Sequence, residues 1–448
     1  MRAWRLGRGL AIVALAAAVV AHAQVPSLAA QPETKSKKKH GDAAKTGLQP
    51  SQTPAYTIPV TPLGFAPPAQ FYLGRRVAQV SLNFLDDEHL LFTFRVPGLI
   101  PRDAAAAGAA ENARERRIRA LVLALPNGQV TAEALWSVHD QKRYLWVLED
   151  GHFLLRDRNM VQRGDAGLTL EPFLRFPGAV DYLELDPAQK LLVTDTTEPA
   201  AGTNAFATTS ASGAVTPGTP PTAKANVTTE EAANRPEPQA LLRILSMDTR
   251  SVELFSHVSS TVHLPVDGEG YYEALRSRGQ SWEITHQSFR GPSRLLSRLD
   301  SACTPLLDAV APGAVLATTC PVNGDFKLTL LTMDQQRLWE VNQPATRVWP
   351  LLGVMPKAGR FARSVIELTR SINSITPIDF EDLKGQVVQV FDLATGKIVL
   401  TAPTAPILDG GGNFALSPSG RRAAVLNDGA IQVFDLPEAP TTPKPPGI

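Results

Sequence analysis

The sequence is poor in the features that would place it quickly. Two cysteines in 448 residues exclude a disulfide-rich scaffold, whose small core is replaced by cross-links. Aromatic residues make up only 6% of the chain. Lysine plus arginine number 44 against 43 aspartate plus glutamate, a net charge of +1. That balance removes the general electrostatic case for nucleic acid. Beyond the first two dozen residues no apolar run approaches the roughly 20 residues that cross a membrane. Helical periodicity over a dozen residues is confined to one candidate, the Ala- and Arg-rich stretch Arg102 to Arg119.

Motifs of catalysis are missing as well. There is no G-x-S-x-G elbow, P-loop or G-x-G-x-x-G. Gly410-Gly411-Gly412 leads into a strand-like segment, not the helix that phosphate binding needs, and reads as a turn before Asn413. The eight histidines are scattered, with His139 and His152 flanking a hairpin and His257 six residues from His263. No His/Cys spacing suits a metal. The acidic pairs Asp86-Asp87 and Glu381-Asp382 lie in turns, where nothing makes two carboxylates converge for glycoside hydrolysis. No catalytic residue, metal ligand or cofactor is therefore expected.

What is present begins with an export signal. Arg2, Arg5 and Arg8 precede an uncharged apolar stretch from Gly9 to Ala21, and Ala21-His22-Ala23 supplies the small residues of a cleavage site. This predicts a signal peptide over 1–23, cut near Ala23, and a periplasmic or secreted mature chain. Retention as an anchor is the alternative. No cysteine follows the cut and no twin-Arg pair precedes the apolar run, which points to the general secretion route. The chain holds 37 Pro and 32 Gly, favouring many turns. Three segments read as disordered because they cannot bury enough apolar surface to offset ordering entropy. They are 24–70, with Lys35, Lys37, Lys38 and Lys39; 197–239, with Pro217-Gly218-Thr219-Pro220-Pro221; and the Pro-rich tail 438–448.

Between these segments, over 71–437, short apolar runs alternate with turn residues. Leu90 to Phe94, Leu121 to Leu125, Val387 to Phe391 and Ile431 to Phe434 read as strands. The last repeats are the clearest. Phe391-Asp392 and Phe434-Asp435 end two strands, and Ser417-Pro418-Ser419-Gly420 joins two more. This pattern resembles WD-repeat and YVTN-type β-propeller repeats, with Phe-Asp standing where that family has Trp-Asp. The resemblance implies an all-β propeller of four-stranded blades. Candidate inner-strand turns fall near Asp86-Asp87-Glu88, Glu149-Asp150-Gly151, Asp186-Pro187-Ala188, Asp267-Gly268-Glu269, Ala311-Pro312-Gly313, Pro356-Lys357-Ala358 and Pro418-Ser419-Gly420. Steps near 40 to 45 residues suit one blade each. Seven blades are expected, with six or eight, or an array of β-sandwiches, as alternatives. The ring should close by Phe71 to Val80 adding an outer strand to the last blade, which removes an open edge.

Cys303 and Cys320 bracket one inner hairpin, and in an oxidising compartment they are expected to pair, contributing about 3 kcal/mol; buried thiols are the alternative. Trp136, Trp146, Trp282, Trp339 and Trp349 should fill gaps between blades. The long stretches Arg102 to Arg119, Thr197 to Gln239 and Ser371 to Gly385 each fall between the second and third strand of a repeat, so all three should open on one face, where loops on a rigid scaffold carry recognition. The expectation is a non-enzymatic scaffold that binds a protein partner in the cell envelope. The alternative is an enzyme, quinoprotein-like or glycan-acting, or a small-ligand sensor, using the central channel.

Overall fold

The computed structural model describes residues 53–67, 80–96, 116–139, 142–198, 239–258, 262–320, 325–334, 337–371 and 378–439. They form seven four-stranded antiparallel sheets, a seven-bladed β-propeller. Blade 1 comprises Val80–Phe84, His89–Arg95, Arg116–Ala124 and Gln129–Val138, and blade 2 Leu145–Val147, Phe153–Asp157, Met160–Gly164 and Leu170–Arg175. Blade 3 comprises Ala179–Leu185, Leu191–Glu198, Gln239–Ser246 and Val252–Val258, and blade 4 Val266–Asp267, Gly270–Arg276, Ser281–Ser288 and Arg294–Asp300. Blade 5 comprises Leu306–Ala311, Ala314–Thr319, Phe326–Thr332 and Arg337–Gln343, and blade 6 Arg347–Met355, Arg360–Leu368, Leu383–Asp392 and Ile398–Thr404. Blade 7 has Phe414–Leu416, Arg422–Asn427 and Ala430–Asp435, and its fourth strand comes from the other end of the chain, Tyr56–Pro59.

Burial follows position in the blade. The second strands lie between neighbouring blades on both faces, so Ala314–Thr319 is buried throughout and Arg360–Leu368 nearly so. A continuous apolar run is the sequence expression of that two-sided burial. The fourth strands form the wet rim, and Val252–Val258 is mostly exposed. In blades 1 to 6 the pairing of third and fourth strands slips by one residue, for example between Ile244 and Leu245 or Val390 and Phe391. Such a bulge adds local twist, and its recurrence gives the outer strands a common bend.

There is no single core. Seven separate apolar clusters form, one at each junction between adjacent blades. The junction of blades 7 and 1 is the richest, with Ile58, Phe65, Phe84, Phe92, Phe94, Leu426 and Val433 among its buried members. The junction of blades 3 and 4 is the leanest, with Leu191, Val193, Leu242, Ile244 and Val266 buried.

Ring closure uses an earlier segment than Phe71 to Val80. Ile58 lies opposite Ile431 and Tyr56 opposite Val433, whereas Val80 begins the first strand of blade 1 and 71–79 lie outside the described residues. Tyr56–Pro59 therefore breaks the stretch 24–70 expected to be unstructured. The four residues suffice because Ile58 is buried in the junction cluster and the Ala55 and Val60 N–H groups extend the ladder to Val433 and Gly429. The helix candidate also fails where it can be seen, since Arg116–Ala124 is strand. Its two-residue alternation of buried and exposed positions begins at Arg116 and was masked by the Ala- and Arg-rich residues before it. The expected leader 1–23, most of 24–70, residues 97–115, 199–238 and 372–377, and the tail from 440 lie outside the described residues.

Candidate functional site

The first strands of the blades face the axis, and those of blades 1 and 2, of blades 4 to 7 in turn, and of blades 7 and 1 touch one another. Each runs into a tight turn and returns as the second strand, so all seven inner turns lie on one face. The connections from second to third strand, and from one blade to the next, lie on the opposite face. On that face blades 2 and 7 use two residues between second and third strand, 158–159 and 428–429. Blades 1, 3 and 6 instead use 96–115, 199–238 and 369–382, which are 20, 40 and 14 residues. The described end of the last of these presents Ile378 and Phe380, exposed at 39% and 51%. A disulfide joins Cys303, in the connection from blade 4 to blade 5, to Cys320, at the end of the second strand of blade 5, with Cα atoms 5.5 Å apart. It ties two connections of this same face together.

The opposite mouth of the channel is bridged. Lys357, in the inner turn of blade 6, forms an ion pair with Glu149, in the inner turn of blade 2. These blades stand three places apart in a ring of seven, so the pair reaches nearly across the axis. Glu149 is held in place by its N–H, which donates to Gln189 of blade 3 at 2.7 Å.

Ionisable groups on the first strands converge between these mouths. His263, just ahead of the first strand of blade 4, donates through Nε2 to the Leu307 carbonyl of blade 5 (3.0 Å). Its Nδ1 lies 2.7 Å from the Tyr182 hydroxyl and 3.2 Å from Glu184 on blade 3. Asp308 of blade 5 is 3.6 Å from Nε2. Burial alone would lower the imidazole pKa, but the Asp308 and Glu184 carboxylates outweigh it and hold it up at about 11. His263 thus links three blades, and the two carboxylates favour its protonated form. Two other acids of blade 3 are bound locally: Asp181 accepts the Thr197 hydroxyl and Asp195 the Val262 N–H. Burial raises the Asp195 pKa, and Asp181 adds to the effect. Blade 2 contributes Lys142 and Arg143 at the head of its first strand, with the Arg143 guanidinium 5.0 Å from the centre of the Trp146 ring. Arg156 lies over the same ring at 5.7 Å.

His263 gives a pH test. A proton bound more tightly in the folded than in the unfolded state stabilises fully below the ordinary value near 6.5, and that contribution fades as pH rises toward 11. Wild-type stability in urea should therefore decline between about pH 7 and 10 more steeply than that of His263→Gln. Parallel slopes would show that the histidine carries no such linkage.

The residues singled out in the sequence lie elsewhere. Phe391 and Phe434 are buried at the junctions of blades 5 and 6 and of blades 6 and 7. Asp392 is buried and accepts the Thr395 N–H and hydroxyl, whereas Asp435 is exposed and pairs with Arg422 at 3.4 Å. The Ser417 hydroxyl accepts the Arg422 N–H across Pro418-Ser419-Gly420. Gly420 has φ +67, and a Cβ there would lie 2.4 Å from Ala358. All of these sit at the bridged mouth, where they shape turns. The acidic pairs also serve turns, Asp86 with His89 and Asp382 with Arg370. Trp136 and Trp146 are buried at blade junctions, Trp282 donates to Ser301 O, and Trp339 to Leu393 O; the Trp349 side chain lies outside the described residues. Among the described residues no group of three His, Cys, Asp or Glu could hold a metal, and no helix is long and apolar enough to cross a membrane. Sequence reading passed over Lys142 and Arg143. Their signal was an adjacent cation pair heading the Tyr144-Leu145-Trp146-Val147 strand.

No protein-family model matches the sequence, and no curated protein does. Solved structures resemble the chain at low identity. The acylaminoacyl peptidase of Pyrococcus horikoshii is 9% identical with a TM-score of 0.44, over 78% of this chain and 49% of its own. The chain thus spans about half the length of that peptidase. The β-propeller domain of the Trilobed protease from Pyrococcus furiosus is 10% identical with a TM-score of 0.42, over 78% and 91%. A chain of a mitotic checkpoint complex is 11% identical with a TM-score of 0.43, over 92% and 98%. These similarities are too distant to assign an activity, substrate or partner.

Proposed function

We propose that this propeller is an exported, non-enzymatic scaffold that binds a protein partner in the cell envelope through the face carrying the three extended connections. The observation that supports it most directly is the grouping of 96–115, 199–238 and 369–382 on one face, since a rigid ring presenting several long connections together suits recognition. The Glu149–Lys357 ion pair spans the opposite mouth, which supports approach from this face. The leader-like 1–23 and the Cys303–Cys320 disulfide fit an oxidising compartment outside the cytoplasm. A small-ligand sensor is the second reading, favoured by the ionisable groups converging on the channel at His263, Glu184 and Asp308.

The test is cross-linking capture from envelope extract with residues 24–448 as bait, beside a bait lacking Ala200 to Pro238. A defined protein partner captured by the first bait and lost from the second is the expected result. Capture of the same partner by both would place recognition away from the longest connection. Capture by neither would overturn the scaffold reading in favour of the channel.

A further inference from the structure

The outer rim of the ring is a row of sheet edges, because among the described residues each fourth strand pairs only with the third strand of its own blade. Such an edge is a template for another strand, and proteins block it with proline, with lysine or arginine, or with another charge. Six of the seven rim strands carry a block. Pro172 stands in blade 2, Pro403 in blade 6 and Pro59 in blade 7. Arg294 and Arg298 stand in blade 4 and Arg337 in blade 5. Blade 1 has Glu133 in mid-strand, half exposed beside Arg119. The rim strand of blade 3, Val252–Val258, has no proline, lysine or arginine, and its one acid, Glu253, stands near its start. Val252 and Phe255 are each 51% exposed. Phe255 and His257 share a face, their rings 5.5 Å apart.

We infer that a second copy of this chain covers that edge, by antiparallel pairing of Val252–Val258 with itself about a two-fold axis at Phe255. In that register the sequence Val-Glu-Leu-Phe-Ser-His-Val is its own complement. Phe255 of one copy meets Phe255 of the other, Glu253 meets His257, and Val252 meets Val258. Each unlike pair occurs twice, as a two-fold requires. A carboxylate faces an imidazole that can donate to it, and apolar side chains face apolar ones, the combinations that stabilise neighbouring strands. Glu253 is held loosely where it is. Arg290, itself 89% exposed, lies 3.8 Å away and the Ser251 hydroxyl 3.4 Å, contacts weak enough to exchange for an interface. The bulge at Glu253 lies outside Leu254–Ser256, the centre of the pairing. The blade 1 strand offers no such register, since a two-fold at Glu133 opposes two carboxylates and one at Ala134 sets Glu133 against Leu135. Pairing at blade 3 joins two blades into one eight-stranded sheet.

Sedimentation velocity on residues 24–448 between about 1 and 200 µM should show a monomer–dimer equilibrium, with a dissociation constant of about 1–100 µM as suits a small interface. Phe255→Lys replaces the central apolar pair with two like charges and should weaken dimerisation at least about 10-fold. Its unfolding in urea should stay close to wild type, because the ring is half exposed. Leu135→Lys, at an equally exposed rim position of blade 1, should leave the equilibrium unchanged. Glu253→Lys should weaken the dimer, and Glu253→Lys combined with His257→Glu should restore it. The two native cysteines are bonded to each other, so Phe255→Cys adds a single free thiol, through which a short bis-maleimide should join two copies. Leu135→Cys should not cross-link. A monomer throughout the range, a dimer that Phe255→Lys leaves intact, or a dimer whose Phe255→Cys copies resist cross-linking would overturn the inference. None of these readouts involves an envelope partner, so each is independent of the capture experiment.

Discussion

Replacing Asp267 with alanine is expected to destabilise the ring by about 3–5 kcal/mol, the scale for breaking a buried charged network by removing one member. Asp267 is buried in the inner turn of blade 4. Oδ1 accepts the Glu269 and Gly270 N–H groups, each at 3.0 Å, and lies 3.1 Å from His286 Nε2. Oδ2 accepts the Tyr272 hydroxyl at 2.6 Å and the Gly313 N–H of blade 5 at 3.3 Å. Truncation would strand these donors where water does not replace the carboxylate. No neighbour can close in, because Gly270 already lies so near Gln287 O that a Cβ would stand 2.1 Å from it. The effect should depend on pH with a defined sign. Burial raises the Asp267 pKa, but the bonds from His286, Tyr272 and Glu269 outweigh it and hold the carboxyl below its ordinary value. A depressed pKa contributes stability that is complete above the unfolded value near 4 and is lost as pH falls through the folded one. Urea unfolding at neutral pH should show the full difference between wild type and Asp267→Ala, and the difference should narrow below about pH 4. A gap under about 1 kcal/mol, or one that stays constant into acid, would remove Asp267 from the forces holding blades 4 and 5 together.

Phe391→Ala should cost a similar amount, about 3–5 kcal/mol, by opening a cavity that the strands cannot collapse to fill. Phe391 is fully buried and stacks on Phe361 with centroids 4.7 Å apart and planes within 4°. Phe361 in turn lies parallel to Trp339 at 6.1 Å, and the Trp339 indole donates to Leu393 O, two residues beyond Phe391. The column of three rings crosses the junction of blades 5 and 6. The contrast is Asp435→Ala, at the second copy of the same Phe-Asp pattern. Asp435 is exposed and its partner Arg422 lies 3.4 Å away, so its loss should cost less than about 1 kcal/mol. Comparable costs for the two variants would mean that the pattern, not the burial of each side chain, sets the energetics.

The contrast shows why the fold was more legible than the site. Turns announce themselves locally: Asp186 caps an inner turn through the N–H groups of Ala188 and Leu191, and Asp392 caps a turn between third and fourth strands at Thr395. A short polar residue followed by a turn is written into adjacent letters, so all seven inner turns could be placed from them. The third-to-fourth-strand bulge could not, because slipping a register changes no residue. The closing strand was missed for a related reason. Tyr56-Thr57-Ile58-Pro59 has one residue buried in a blade junction, Ile58, and prolines at 54 and 59; its pairing comes from residues some 370 positions away. The channel cluster is more remote still. His263 meets Glu184 and Asp308, and Glu149 meets Lys357 over a separation of 208 residues. No window of the sequence holds both partners, so residues far apart in one dimension meet in three.

The pairing of Tyr56–Pro59 with Ala430–Asp435 also sets an order on biosynthesis. Of the described strands, the first to emerge from the ribosome is the last to find its partner, because Val433 follows it by almost the whole length of the ring. Until then the edge of blade 7 stays open and the junction of blades 7 and 1, the richest in buried aromatics, is unmade. Blades 1 to 6 contain only strands that are neighbours in time and can zip as they appear. A translating chain therefore carries an unlocked intermediate with exposed strand edges, the species most open to aggregation and to chaperones, and its lifetime is set by how fast the remaining residues are delivered.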